Sequence, residues 1–359
     1  SKALWITVSV LVVTCPCALS LATPIALTVS AGALAKDGLL VTRGHAIETL
    51  SRATHFVFDK TGTLTTGRMH LVDVFLAAGA DKEACLAMAA ALEHASEHPV
   101  ATALRQAAGE RLPETSAVIS EPGQGIEAIV EGRRCRIGRP DYALALSAAT
   151  LPEAASDWLE SGDTVVVLAD ETGCLALFRI GDEVRQESAA LISELRAAGK
   201  KVILLTGDAP AVAHRVANKL GISDVRAGVT PQGKHDCVIG LQAEGAVVAM
   251  LGDGVNDAPV LAQAQVSVAM GGGAQLARTQ SDFILLSENL DHLRHGLRRA
   301  RKTLKIIRQN LWWSFAYNFV ALPLAIAGYV TPWIAGIGMS ASSLLVVLNS
   351  LRIQRVEID

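Results

Sequence analysis

The stretch Asp59-Lys60-Thr61-Gly62-Thr63-Leu64-Thr65 constrains this chain more than any other. The four residues before it, His55-Phe56-Val57-Phe58, are apolar and aromatic with no breaker, and read as a short buried strand. After Asp59 the chain turns small and polar, so the carboxylate sits at the carboxyl end of that strand. Open α/β sheets bind their ligands at such ends. A Thr/Gly-rich turn there offers backbone N–H groups and hydroxyls to a phosphate, and Asp59 offers a nucleophilic oxygen. A lone Asp at a strand end is usually only solvated; the seven-residue context singles this one out.

Two later strand ends carry groups of the same kind. Val202-Ile203-Leu204-Leu205 reads as a buried strand leading into Thr206-Gly207-Asp208. Thr206 is placed to hydrogen-bond a phosphate oxygen, and Asp208 to cap a helix from Pro210 to Leu220. Val247-Val248-Ala249-Met250-Leu251 runs into Gly252-Asp253-Gly254-Val255-Asn256-Asp257-Ala258-Pro259. Two carboxylates and an Asn on a glycine turn suit a hard cation with oxygen ligands, hence Mg²⁺. Strands and helices alternate in this region, which predicts a parallel, doubly wound sheet. No Gly-x-x-x-x-Gly-Lys-Ser/Thr occurs, so a P-loop nucleotidase is excluded.

From about His70 the character changes. Ala84 to Ala108 has helical period and contains Glu93-His94-Ala95-Ser96-Glu97-His98-Pro99. Ser96 is expected to cap the helix that resumes at Pro99. Alternating runs at 126–130 and 134–137, then at 164–169 and 174–178, predict two hairpins. The expectation is an inserted α+β domain over 70–178 between two parts of the doubly wound domain, 37–69 and 179–296.

Ala3 to Ala35 holds no charged side chain and is long enough to span a bilayer as helix. Pro16, between Cys15 and Cys17, lacks an N–H and should break that helix, so two thiols face one point. Soft thiolates select ions such as Cu(I) or Zn(II). A basic helix over 297–310 precedes expected spans at 311–329 and 332–351, with a cytoplasmic tail at 352–359. Trp312, Trp313, Tyr329 and Trp333 fall where interfacial aromatic residues belong. Tyr317-Asn318 in one span, and Met339 with Ser343 four residues on in the next, are polar or soft groups inside lipid and so functional candidates. Lys+Arg 32 against Asp+Glu 35 is near neutrality, which gives no indication of a nucleic-acid partner. Cys85, Cys135, Cys174 and Cys237 are scattered in cytosolic-type sequence and read as small core residues. The chain opens on Ser with no signal-peptide n-region, and is expected to be the carboxyl-terminal piece of a longer protein.

Together these motifs resemble the P-type ATPases, and Cys-Pro-Cys resembles their heavy-metal-transporting branch. The resemblance implies a haloacid-dehalogenase-like α/β phosphorylation domain, an inserted nucleotide-binding domain and transmembrane α-helices at both ends. It makes Asp59 the phosphorylated nucleophile, aided by Lys60, Thr61, Thr206, Gly207, Asp208, Lys234, Asn256 and Asp257. Lys234 would neutralise the phosphoryl group. Mg²⁺ would lie on Asp59, Asp253 and the Thr61 carbonyl. ATP would lie on Glu93, His98, Gly123, Gly125 and Gly138, although the family usually has Asn where this chain has Arg139. Tyr-Asn in one helix and Met-Ser-x-Ser-Ser in the next resemble the Cu(I) branch, with Cu(I) or Ag(I) on Cys15, Cys17, Tyr317, Asn318, Met339 and Ser343, and Asn349 and Arg352 extending the signature. Partners implied are the bilayer of a bacterial inner membrane, a cytosolic copper chaperone and the amino-terminal part of the same chain. The actuator loop Thr-Gly-Glu of the family is missing here, so the piece is expected to bind ATP without turning over as a pump. A Zn(II)/Cd(II) pump, a membrane-anchored phosphatase and a non-enzymatic metal receptor stay open. Thr61 stands where simple phosphatases of the superfamily carry a second Asp.

Overall fold

The computed structural model describes residues 2–109, 111–147, 150–152, 158–159, 163–253, 257–273 and 275–355. Among them, thirteen strands form two sheets. β1 (Leu39–Val41) and β2 (His55–Phe58) come first. Six follow in one block: β3 (Thr65–Leu76), β4 (Thr115–Glu121), β5 (Gly125–Val130), β6 (Arg133–Gly138), β7 (Thr164–Asp170) and β8 (Gly173–Val184). The last are β9 (Lys201–Leu205), β10 (Asp224–Arg226), β11 (Val248–Gly252), β12 (Val266–Met270) and β13 (Phe283–Leu285). The first sheet has the order β1-β13-β12-β11-β2-β9-β10, and the second β3-β8-β7-β6-β5-β4. The fold is thus a doubly wound α/β sheet interrupted by an antiparallel one.

By compactness the chain divides into two units. One comprises Ser1–Phe58, Ala190–Val202 and Pro231–Asp359; the other comprises Asp59–Ala189 and Ile203–Thr230. In the first unit β2, β11, β12 and β13 run parallel, and β1 closes the edge antiparallel to β13. Phe56, Val57 and Phe58 are all buried, which is why this strand is a continuous apolar run rather than an alternating one.

The same unit holds the long apolar helices. Lys2–Val13 and Cys17–Lys36 are separated at Pro16, as its missing N–H requires, while Pro24 is accommodated inside the second. The basic stretch 297–310 and the expected span at 311–329 belong to one continuous helix, Asp291–Ile326, with no break at 310. Pro332–Leu351 follows, capped by the Thr331 hydroxyl, which accepts from Ile334 N at 3.4 Å. Lys2–Lys36 and Pro332–Gln354 are long and apolar enough to cross a membrane; in the helix between them Trp, Tyr and Asn dilute the apolar run. The helices meet on small residues, Ala18 and Ala22 against Val346, and Val13 with Ala325 and Ala335. Arg299 ties them further, donating from Nε to Asp37 at 2.9 Å and from Nη1 to the Ile353 carbonyl at 2.7 Å.

In the second unit, helices Lys82–Leu92 and Pro99–Ala107 cover one face of the six-stranded sheet. Leu86, Ala89, Leu92 and Leu104 pack there on Ile137, Phe178 and Ile180. The turn between β5 and β6 is Glu131-Gly132, both at positive φ (49° and 80°), the conformation that right-twisted hairpins favour. β3 begins at Thr65, paired with Val184, and shifts register between Thr65 and Met69 and between Leu71 and Asp73, so this sheet begins before His70 and ends after Phe178.

Candidate functional site

Asp59 continues β2 out of the first unit's sheet. Phe58 is paired in parallel with Leu251, and β11 leads on to Asp253. Within the first unit Asp253 and Asp257 offer carboxylate oxygens within 4.8 Å of each other, with Asp257 buried. Close carboxylates of this kind fit a hard divalent cation such as Mg²⁺. Gly252 is needed for the arrangement, since a Cβ there would come 3.1 Å from the Asp257 side chain. Lys234, buried in the helix Pro231–Ala243, donates to Asp257 Oδ1 at 2.8 Å. Asn256 lies outside the described residues.

The loop after Asp59 belongs to the second unit. Thr61 is extended and exposed, and Gly62 takes φ +71°, which lets the chain reverse. Lys60 is buried and pairs with Asp208 Oδ2 at 2.7 Å, and the Thr206 hydroxyl donates to the same oxygen at 2.9 Å. Asp208 therefore does not cap the following helix. That helix, Pro210–Leu220, starts from Ala209 with no side-chain cap, because the Asp208 carboxylate is taken by Lys60 and Thr206. Gly207 sits in the turn, where a Cβ would meet the Val229 carbonyl at 3.4 Å.

Two unanticipated residues fix this loop. Arg185, buried, donates to the Thr63 and Gly62 carbonyls at 3.0 Å each, and Ser188 donates to the Leu64 carbonyl at 2.9 Å. Asp182 accepts from the Thr65 hydroxyl and from Gly67 N; burial pushes its carboxyl up from the usual range. Nothing in the spacing of these residues from Asp59, more than a hundred positions away, could reveal them.

In the six-stranded sheet, Glu93 ends the helix Lys82–Leu92 and is buried. Burial pushes its carboxyl up, against the opposing effect of the Ser96 hydrogen bond and of His98. His98, not Ser96, caps the helix Pro99–Ala107. Its Nδ1 accepts from Val100 N at 3.3 Å, while the Ser96 hydroxyl accepts from His98 N at 3.3 Å. Ser96 stands two residues too early for the cap. Arg105 holds the loop from behind, donating to the Glu93 and Ser96 carbonyls at 2.5 and 2.7 Å. Gly125 and Gly138 are register partners across β5 and β6. A Cβ on Gly125 would lie 2.2 Å from the Ile137 carbonyl, and one on Gly138 would lie 2.3 Å from that of Gln124. Gly123 turns the chain at φ +77°, and Arg139 N donates to the Gln124 carbonyl at 2.8 Å.

Among the apolar helices, Cys15, Tyr317, Asn318 and Met339 line one small cavity with Pro16, Ser314 and Ser342. Cys17 is bonded to Cys15 across Pro16, with Cα atoms 5.5 Å apart; the thiolate pair expected from the sequence is the reduced form. Ser343 does not line the cavity. Ser342 does, because three residues from Met339 also shares its face, and its hydroxyl accepts from Trp313 Nε1 at 3.1 Å. Gly338 lets the two helices approach, since a Cβ there would lie 2.8 Å from the Tyr317 hydroxyl. Cys135 and Cys174 are ordinary packed thiols, pushed up by burial to about 11.

The haloacid dehalogenase-like hydrolase family matches residues 53–265, more than half the chain. The chain belongs to that family. It is also similar, at 40% identity over 97% of its length, to the probable copper-exporting P-type ATPase V of Mycobacterium tuberculosis, of which it covers 46%. The nitrogen fixation protein FixI of Bradyrhizobium diazoefficiens is 42% identical over 96% of this chain and 46% of its own. A crystal structure of a zinc-transporting PIB-type ATPase in an E2.Pi state superposes with TM-score 0.88 at 34% identity, covering 96% of this chain and 57% of that one. The chain spans about half the length of the curated relatives it matches.

Proposed function

We propose that this chain carries the catalytic core and part of the ion path of an ATP-driven exporter of Cu(I), with Ag(I) as a second cargo. The observation that carries the reading is the cavity that gathers Cys15, Tyr317, Asn318 and Met339, in the same chain as the Asp59-Lys60-Thr61-Gly62-Thr63-Leu64-Thr65 stretch. Thiolate and thioether ligands together favour a soft monovalent ion. The relatives named as copper-exporting support the same choice.

In this reading 37–69 and 179–296 form the phosphorylation domain and 70–178 the nucleotide-binding domain. The adenine lies against His98 and over the glycine turn at Gly123 and Gly125. Asp59 attacks the γ-phosphate of ATP; the Oδ–P bond forms as the bond to ADP breaks. Mg²⁺ held by Asp59, Asp253 and the Thr61 carbonyl supplies charge neutralisation when bound. Thr206 and Gly207 receive phosphoryl oxygens, Lys60 is held in place by Asp208, and Lys234, with Asn256 and Asp257, balances the added charge. Cu(I) delivered by a cytosolic chaperone meets reduced Cys15 and Cys17 and passes to Tyr317, Asn318, Met339 and Ser342. The setting is a bacterial inner membrane, with the amino-terminal remainder of the protein completing the pump.

A Zn(II) pump is the second reading, favoured by the likeness to a zinc-transporting structure. Metal-stimulated phosphorylation of the full-length protein, under reducing conditions, separates them. Stimulation by Cu(I) and Ag(I), lost in Cys15→Ala/Cys17→Ala, is expected. Stimulation by Zn(II) or Cd(II) instead would overturn the choice of cargo.

A further inference from the structure

Beside the helix Asp291–Ile326 runs an open groove of about 920 Å³, walled on its other side by the end of the helix Ala46–Arg52. Arg301, Lys305 and Arg308 recur at four- and three-residue spacing and so share one helix face. Trp312 continues that face one turn beyond Arg308, with Trp313 beside it, and both indoles are exposed (77% and 45%). Arg52 adds a fourth cation from the opposite wall, itself paired with Glu48. No carboxylate lines the groove among the described residues. Arg301, Lys305 and Arg308 make no salt bridge among the described residues either, though the nearby Glu194 carboxyl is held low by its hydrogen bond from Arg298 and, least of all, by Arg301. Trp313 is fixed in orientation by its bond to Ser342 at 3.1 Å.

We propose that this groove binds an anionic phospholipid, its phosphate among Arg301, Lys305 and Arg308 and its acyl chain along Trp312 and Trp313. Basic pockets beside membrane helices on the cytoplasmic side recognise acidic headgroups in this way. The joining of cations to exposed indoles decides between a lipid and a free anion. Inorganic phosphate engages the guanidinium and ammonium groups alone, whereas one diacyl lipid engages the cations and the adjoining rings together. The volume is also far larger than a phosphate needs. Lys305 and Arg308 are exposed and contribute little to the helix core, so nothing in packing explains their alignment with the tryptophans. The proposal rests on the membrane reading of this helix and is independent of the transported ion.

The test is quenching of tryptophan fluorescence in the 359-residue chain reconstituted into phosphatidylcholine vesicles. Brominated-chain phosphatidylglycerol is compared with brominated-chain phosphatidylcholine at equal mole fraction. Phosphatidylglycerol should quench at the lower concentration, by about fivefold in apparent affinity for each basic residue engaged. Arg301→Gln/Lys305→Gln/Arg308→Gln should bring the two lipids level, and Trp312→Phe should remove most of the difference in signal. Lys305→Glu alone, at an exposed position, should lower the preference without affecting folding. Millimolar inorganic phosphate should not displace the lipid. Equal quenching by both lipids in the unaltered chain, or a preference that survives the triple substitution, overturns the proposal. Displacement by free phosphate makes the groove an anion site and overturns its lipid half. Quenching by neither lipid contradicts the membrane reading itself, which separates that failure from the others.

Discussion

Gly125 and Gly138 show how one residue type serves two purposes. Each is in a backbone conformation that other residues rarely adopt (φ 159° and 153°), and each passes within van der Waals range of the partner strand. At this pair β5 and β6 lie backbone against backbone. Gly125→Ala should therefore lower the stability of the second unit by about 3 kcal/mol, from overpacking and backbone strain together. Thermal unfolding checks this, and nucleotide affinity should fall in parallel. The hairpin of β5 and β6 was readable because its alternation is local. The capping role of His98 was not, because Ser96 satisfies the usual preference equally well and only the start of the helix decides between them. Ser342 was missed for a related reason. Positions three and four after Met339 both share its face, and the choice depends on where the neighbouring helix lies.

At the scale of elements, the loop from Lys60 to Leu64 is positioned by contacts that arise more than a hundred residues later. Arg185 is the clearest case, a buried cation closing on two carbonyls. Arg185→Ala leaves both carbonyls without their donor and should cost about 3 kcal/mol. We expect phosphorylation to be lost while nucleotide binding persists, as measured by calorimetric titration beside a phosphorylation assay. The hairpin of β5 and β6 supplies a pH test. Arg134, then Arg136, hydrogen-bonds Glu127 and holds its carboxyl below the usual range. A depressed carboxylate stabilises the fold fully above its unfolded value, near 4.5, and that contribution disappears as pH falls through the depressed one. Glu127→Gln should lower the melting temperature at neutral pH and make its decline in acid shallower; an unchanged acid limb would contradict this. The parallel strands and both hairpins were legible because each is a bounded apolar or alternating run. The continuous helix Asp291–Ile326 was not, because a change from basic to apolar composition marks a change of solvent rather than a break in the backbone.

At the scale of the whole molecule, the sequence places its chemistry at strand ends and at a helix break, and leaves the rest to packing. β2 leads to Asp59 and β11 to Asp253 and Asp257, and the break at Pro16 sets Cys15 against Tyr317, Asn318 and Met339. Both features were legible as motifs; which groups share a cavity emerged only from the fold. The central claim is that Asp59 accepts the γ-phosphate of ATP. The most direct measurement is incubation of the chain with γ-labelled ATP and Mg²⁺, acid quenching, and peptide mapping of the label. We expect an acid-stable, hydroxylamine-labile phosphate on the peptide containing Asp59, absent in Asp59→Asn and lost when Mg²⁺ is chelated. Label on a different residue, or label that survives in Asp59→Asn, would contradict the assignment of the nucleophile and with it the proposed cycle.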